Sequence, residues 1–159
     1  MPSPPLIDPL SIDTKHPVRD IENIRTHNTQ RFEMEMLSGI CVIDLEKQLA
    51  VGYKNLTEQD FWVRGHIPGR PLFPGVLQIE TAAQLTSYYY MEMIGNPPGT
   101  FIGFMGVTDV KFRGFIPPGS TFIMAAKPLE LRNRRCTFYC QGFVKDKMVF
   151  EGTILGAPM

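Results

Sequence analysis

The stretch GHIPGRPLFPGVLQIETAAQ, residues 65–84, decides how the rest of the chain is interpreted. Its first eleven residues hold three prolines, three glycines and a single histidine, His66. Its second half is mostly apolar and contains one acid, Glu80. Pro74 suits a first helical position, because the N–H that proline lacks is not needed there. The stretch therefore predicts a constrained loop that leads into a helix over 75–94, with a glycine as its stop.

Strand patterns lie on both sides of this helix, which is itself apolar enough in its first half to be buried. Upstream, Asp20 is suited to cap a short helix that runs to about Asn28. Apolar alternation and β-type residues predict six strand segments: 32–44, 48–56, 100–115, 121–131, 136–144 and 148–157. We expect the last four to form an antiparallel meander. Segregated strands and helices predict an α+β class, with a curved antiparallel sheet around one long helix.

Composition limits the classes of protein that the chain can represent. Its 159 residues suit one domain, and its 16 basic and 16 acidic side chains give no global field that favours nucleic acid. Five prolines among the first seventeen residues predict an extended arm over 1–19, ahead of a single domain over 20–159. No secretory signal or membrane-spanning run is present. The three cysteines form no CxxC pair, which favours reduced thiols in the cytoplasm over a disulfide framework or a metal site.

Glu80 and His66 are the two residues whose chemistry needs explanation. A carboxylate among apolar neighbours is costly unless it is partnered, protonated or catalytic, and Gln84 lies one turn later on the same helical face. Either residue can also have a purely structural role, with His66 bonded to a local backbone group. The stiff loop favours a further role, since the helix start at Gly75 offers unpaired N–H donors. A base, an acid and an oxyanion site together suit proton abstraction beside a carbonyl.

Residues 65–84 resemble the central motif of the β-hydroxyacyl-[acyl carrier protein] dehydratases of fatty acid synthesis, which have the hotdog fold. The family pattern is G-H-F-P-G-x-P-x-x-P-G-V-L, followed on the helix by E-A-x-A-Q. This chain keeps the histidine, every glycine and proline, the glutamate and the glutamine at the same spacing. Further similarity, in KNLTEQDFWVRGH, FMGVTDVKFRGFIPPGSTF and VKDKMVFEGTIL, extends the match to roughly residues 20–155.

The resemblance implies roles for four residues in the dehydration of a (3R)-3-hydroxyacyl thioester to the trans-2-enoyl product. His66 would take the α-proton, and Glu80, oriented by Gln84, would assist loss of the 3-hydroxyl as water. The N–H of Gly75 would polarise the thioester carbonyl. The retained glutamate argues against the double-bond isomerisation of the family's bifunctional branch, which has aspartate there.

The resemblance also implies the partners of the chain. The family's site lies at a homodimer interface, where the histidine of one subunit meets the glutamate of the other, and the dimers often assemble into trimers. An acyl carrier protein would deliver the substrate. No metal and no organic cofactor are implied, and no ligand spacing in the sequence signals one.

Two further sets of residues are candidates for substrate and carrier contacts. Aromatic residues that could line an acyl tunnel, with core packing as the alternative, are Phe73, Tyr88, Phe101 and Phe104. Basic residues that could steer an acidic carrier, with a solvated turn as the alternative, are Lys111, Arg113, Arg132, Arg134 and Arg135.

The chain departs from the family near its N-terminus. Where the family has L-P-H-R-Y-P-F-L-L-V-D, this chain has NTQRFEMEMLSG, which keeps Arg31 and Phe32 but loses the neighbouring His, the second Pro and the final Asp. Ser120 also replaces an aspartate after the proline–glycine turn. We therefore expect a divergent member. Two other functions stay open: a hotdog acyl thioesterase, which does not need this loop, and a non-catalytic acyl-binding subunit.

Overall fold

Six antiparallel strands form one continuous sheet in the computed structural model, which describes residues 1–159. The strands are β1 (Gly39–Asp44), β2 (Leu49–Asn55), β3 (Ile102–Phe112), β4 (Thr121–Arg132), β5 (Arg135–Val144) and β6 (Lys147–Pro158). Their order in the sheet is β1-β2-β4-β5-β6-β3. The helices are α1 (Ile21–Arg25) and α2 (Gly75–Met93), and α2 packs against β2 to β6. The α+β class and the hotdog arrangement of a sheet around one long helix are confirmed.

The expected four-strand meander is wrong in one pairing. β4, β5 and β6 are consecutive neighbours, but β3 pairs with β6, and β2 takes the other side of β4. The connection over 113–120 does not turn back on itself, because it is bonded to the loop that precedes α2. The Phe73 N–H donates to the Ile116 carbonyl at 2.8 Å, and the Gly119 N–H donates to the Leu56 carbonyl at 2.8 Å. β3 is therefore left at the edge of the sheet.

The strand expected over 32–44 begins only at Gly39. Phe32–Met34 form a short 3-10 helix instead, and Phe32 has a φ of 58°. The cause is a tertiary contact with α2: the Met36 N–H donates to Gln84 Oε1 at 2.9 Å, and Gln84 Nε2 donates to the Met34 carbonyl at 2.7 Å. These bonds draw the segment onto the helix and override its strand-like alternation.

α2 follows its predicted bounds closely. Pro74 is the N-cap rather than the first helical residue, and Gly95, with a φ of 81°, follows the C-cap as expected. The helix is buried along most of its length, from Leu77 to Met91. Neither helix combines the length and hydrophobicity that a membrane crossing requires.

The arm lies on the face of its own sheet opposite α2. Leu6, Ile7 and Ile12 pack against a cluster formed by Val51, Tyr53, Ile123, Ala125 and Phe143. The side chain of Gln141 holds the arm, because its Oε1 accepts from the Leu6 N–H at 2.7 Å and its Nε2 donates to the Pro4 carbonyl at 2.9 Å. One short 3-10 turn, Pro9–Ser11, interrupts the otherwise irregular path.

Candidate active site

His66 lies in the loop over 57–73 and is exposed to solvent. Its backbone is fixed on both sides, since its N–H donates to the Trp62 carbonyl and its own carbonyl accepts from the Leu72 N–H, each at 2.8 Å. Its Nδ1 lies 2.8 Å from the Leu72 carbonyl oxygen. A carbonyl can only accept, so Nδ1 carries the hydrogen and Nε2 of the neutral ring carries the lone pair. The loop therefore leaves the lone pair of Nε2 available as an acceptor.

Glu80 is oriented by a buried amide. Gln84, which is 2% exposed, donates from Nε2 to Glu80 Oε1 at 2.8 Å. The same side-chain amide accepts from the Met36 N–H and donates to the Met34 carbonyl. The backbone carbonyl of Gln84 separately accepts from Asn28 Nδ2 at 2.9 Å, and the contacts that hold the side chain are those of its amide. Gln84 cannot rotate without breaking these contacts, so it fixes one carboxylate oxygen and leaves the other available. The sequence predicted the Glu80 contact but not the attachment of the 28–36 segment.

His66 and Glu80 face different cavities within one chain. The larger cavity, of about 760 Å³, has mostly apolar walls and is lined by His66, Gly75, Gln78 and the end of β3 with its following loop. The smaller one, of about 40 Å³, is lined by Glu80, Gln30 and the start of β3. One copy of the chain therefore does not bring the predicted base and acid into one cavity.

Gly75 begins α2 on the wall of the larger cavity. Pro74 supplies no side-chain cap, and its carbonyl accepts from the Leu77 and Gln78 N–H groups at 3.0 and 3.2 Å. The N–H groups of Gly75 and Val76 at the helix start therefore have no protein partner. A Cβ atom at Gly75 would lie 2.8 Å from the Phe112 ring, so only glycine admits this close packing at the helix start. The Gly75 N–H and the His66 imidazole thus belong to the same cavity, as an oxyanion donor and a base require.

The four aromatic tunnel candidates lie in different environments. Phe73 is buried and lines the larger cavity, and Phe104 lines the smaller one. Phe101 is half-exposed ahead of β3, and its backbone pairs with Met159. Tyr88 lines neither cavity.

Tyr88 is instead a structural anchor in the core. Its hydroxyl donates to Asn23 Oδ1 at 2.6 Å and accepts from Arg19 Nε at 3.0 Å, and its ring stacks on His27 at 4.2 Å between centroids. Burial raises the pKa of its phenol, so the hydroxyl stays protonated at neutral pH. These polar partners fix Tyr88 against α1 and the arm, which fits the packing alternative, and a place for Tyr88 in an acyl tunnel stays a prediction.

The basic docking candidates divide into two groups. Arg132 and Arg135 sit at the turn between β4 and β5 and bond Glu130 at 3.0 and 2.9 Å, with Arg134 exposed between them. Tyr90, near the C-terminal end of α2, donates to the Arg132 carbonyl, so this turn lies at the end of the helix away from Gly75.

The second group lies beside the larger cavity. Arg113 lines it and bonds Glu151 at 3.0 Å, and Lys111 is exposed on β3 nearby. Arg64 and Arg70, which were not among the predicted docking residues, flank His66 in the same loop and are exposed. The Arg70 guanidinium lies 5.1 Å from the centre of the Phe115 ring on the cavity wall. Their place beside His66 in the sequence was the signal that could have identified them.

The three thiols lie outside both cavities and are unpaired. Burial raises the pKa of Cys41 and of Cys136 to about 11, and raises that of the fully buried Cys140 further. None is therefore a thiolate nucleophile at neutral pH. No three His, Cys, Asp or Glu side chains cluster as a metal site would need.

The relatives of the chain include a dehydratase and two bifunctional enzymes. The chain is 32% identical over 136 residues to the 3-hydroxyacyl-[acyl-carrier-protein] dehydratase FabZ of Syntrophobacter fumaroxidans, which covers 86% of this chain and 91% of that protein. It is 31% identical over 142 residues to the bifunctional enzyme LpxC/FabZ of Bacteroides thetaiotaomicron and 29% identical to that of Chlorobaculum tepidum. The match covers 89% of this chain but spans only 30% of the length of each bifunctional relative.

Solved structures share the fold at low identity. The dehydratase heterocomplex ApeI:P from Xenorhabdus doucetiae superposes with a TM-score of 0.71 at 11% identity, over 84% of this chain and 89% of that one. A point mutant of the fluoroacetyl-CoA-specific thioesterase FlK gives 0.60 at 15%, over 70% and 84%. These likenesses show the fold alone, which dehydratases and thioesterases share.

Residues 28–153 match the FabA-like domain family, and this range contains His66, Gly75, Glu80 and Gln84. The match begins at the altered N-terminal segment, so that segment belongs to the domain despite its departures. The chain is therefore a divergent member of the FabA-like domain family and a relative of the FabZ dehydratases.

Proposed function

We propose that the chain dehydrates a (3R)-3-hydroxyacyl thioester to the trans-2-enoyl thioester, in fatty acid or related acyl-chain synthesis. The observation that carries the proposal is one loop-and-helix unit that presents a His66 base, the Gly75 N–H and an oriented Glu80. The relationship to the FabZ dehydratases supports the same chemistry. Fold likeness to a thioesterase does not, because it is accompanied by only 15% identity.

The reaction uses three groups of the protein. Nε2 of His66 removes the proton from C2 of the substrate, and the negative charge that develops on the thioester oxygen is stabilised by the Gly75 N–H. The C3–O bond breaks while Glu80, oriented by Gln84, relays a proton from solvent to the departing hydroxyl, which leaves as water. C2 and C3 become the double bond. His66 then releases the C2 proton to solvent, so the net change is the loss of one water.

We propose a homodimer as the catalytic unit, since His66 and Glu80 face different cavities within one chain. β3 supports this proposal, because it is an edge strand whose N–H and C=O groups on one side have no strand partner. Its exposed side chains include Phe104, Met105 and Phe112. Pairing of β3 with β3 of a second copy would cover this apolar edge and bring two sets of catalytic residues near each other. Trimers of such dimers belong to the same proposal.

An acyl carrier protein is the proposed carrier of the substrate. Arg64, Arg70 and Lys111 place exposed positive charge beside the larger cavity, where an acidic carrier would deliver its thioester. Arg132, Arg134 and Arg135 lie at the other end of α2 within the chain. The three unpaired thiols support the cytoplasm, a reducing compartment, as the proposed location.

The test is turnover of the purified protein on 3-hydroxyacyl thioesters of graded chain length, carried on acyl carrier protein or on coenzyme A. We expect enoyl product from the wild type and a loss of roughly 10²-fold or more in kcat for His66→Ala and Glu80→Gln, in dimers of unchanged size. Saturated acyl thioesters, which cannot lose water, serve as controls. Release of free thiol from them would support a thioesterase, and full activity of either variant would contradict the proposal.

A further inference from the structure

Gln78 has a buried polar atom that the fold does not satisfy. It lies on α2, is 3% exposed, and lines the larger cavity together with His66 and Gly75. Its Oε1 is buried and has no hydrogen-bond partner. Its Nε2 has one long contact, 3.5 Å to the Phe73 carbonyl. That carbonyl favours this orientation of the amide, because a flipped amide would place two acceptor oxygens 3.5 Å apart.

The fold gains little from a glutamine at this position. A buried carbonyl without a donor is unfavourable, whereas leucine or methionine would fill the same volume in a helix without that cost. The other buried glutamines differ in this respect. Gln84 and Gln141 each use both the oxygen and the nitrogen of the amide in protein hydrogen bonds. Gln78 therefore lacks the donor that the other two have.

The position of Gln78 indicates where that donor comes from. It lies three residues after Gly75 on the same cavity wall, which corresponds to an axial rise of about 4.5 Å. A thioester whose carbonyl accepts from the Gly75 N–H would extend past Gln78. Two donors lie within a few bonds of the thioester in every carrier-bound 3-hydroxyacyl substrate: the 3-hydroxyl, and the nearest amide N–H of the carrier arm.

We propose that the Gln78 amide, which is held by a single 3.5 Å contact, turns toward the bound thioester so that its Oε1 accepts a hydrogen bond from it, which makes Gln78 a specificity-determining residue of the site. This inference rests on the proposed function. The donor is either the 3-hydroxyl or the amide N–H of the ligand, because each can donate a hydrogen bond to the Gln78 carbonyl. An apolar group at this depth would leave the carbonyl unpaired, so the cavity discriminates against ligands that lack the donor.

The experiment compares four ligands, so that each donor is varied separately. They are the 3-hydroxybutyryl and butyryl thioesters of N-acetylcysteamine, which carry an amide, and of pentanethiol, which does not. Binding is measured by NMR titration in the His66→Ala background, where the ligands are not turned over. Gln78→Leu is the test variant and Gln78→Met is a second variant of closer shape. Gln141→Met is the matched control, since Gln141 is buried on the opposite face of the sheet.

We expect both Gln78 variants to lower the binding affinity of the ligand that carries the relevant donor by roughly tenfold. The affinity of the corresponding ligand without that donor should stay unchanged or rise. If the loss depends on the 3-hydroxyl, present in the 3-hydroxybutyryl but not the butyryl thioesters, the donor is the 3-hydroxyl. If it depends on the amide, present in the N-acetylcysteamine but not the pentanethiol thioesters, the donor is the carrier arm. The Gln141→Met control should leave all four affinities unchanged. The inference is overturned if both variants change all four affinities by the same factor or by none, or if they dissociate the dimer. Absence of enoyl product from the wild type with every substrate contradicts the proposed function instead.

Discussion

The composite site predicts that two inactive variants restore each other. In the proposed homodimer, each complete site would take its base from one copy and its acid from the other, because His66 and Glu80 face different cavities of one chain. A dimer of one His66→Ala chain and one Glu80→Gln chain then contains one fully native site and one doubly altered site. Equal random mixing makes about half of the dimers mixed, so about a quarter of wild-type activity should return.

The assay is formation of the enoyl thioester after the two variants are unfolded together and refolded, or co-expressed. Heterodimers purified through two different tags should show about half the wild-type activity per dimer. A matched control mixes wild type with the His66→Ala, Glu80→Gln double variant in equal amounts. If the site is composite, those mixed dimers contain no native site and activity falls to about a quarter of that of an all-wild-type sample. If each site belongs to one chain, the control retains about half and the two single variants show no restoration, which would refute the reasoning.

Three other predictions concern stability. Tyr88→Phe removes the hydroxyl that bonds Asn23 and Arg19, so it should lower the unfolding free energy by about 1–2 kcal/mol and leave the preferred acyl length unchanged. A changed preference for acyl length would show instead that Tyr88 contacts the substrate. Deletion of residues 1–12 should lower Tm and expose an apolar face to a hydrophobic dye while kcat is retained; an unchanged Tm would contradict the packing of the arm and leave the 1–19 boundary unsupported. The Arg25 guanidinium bonds Glu35 and holds the pKa of that carboxyl below 4.5, so its stabilisation is present above pH 4.5 and is lost as pH falls through the lowered value. Glu35→Gln should therefore flatten the acid side of a plot of unfolding free energy against pH, and an unchanged acid side would contradict this assignment.

The predicted loop and helix show which features a local pattern can determine. The prolines and glycines of residues 65–75 restrict the backbone through their own geometry, and the α2 bounds follow from Pro74 and Gly95. The Glu80–Gln84 bond follows from helical spacing alone. These features depend on residues that are close in sequence.

The errors in prediction involve contacts between distant residues. Alternation predicted a strand at residue 32, but Gln84 bonds Met34 and Met36 from 50 and 48 residues away and bends the segment onto α2. The choice between tunnel and packing for Tyr88 also lay beyond the local pattern, because its partners Asn23 and Arg19 are 65 and 69 residues away. Residue type alone could not distinguish these environments.

The sequence by itself determined the loop that presents His66, the helix that carries Glu80, the α+β class and the family, because each depends on local geometry or on a contiguous motif. Only the tertiary structure decided that β3 lies at the sheet edge and that His66 and Glu80 of one chain are in separate cavities. It also showed that Gln78, whose side-chain oxygen has no partner, lines the His66 cavity. These features depend on which distant elements come together, and the free energy that selects such packing is shared over the whole core rather than encoded in any one stretch.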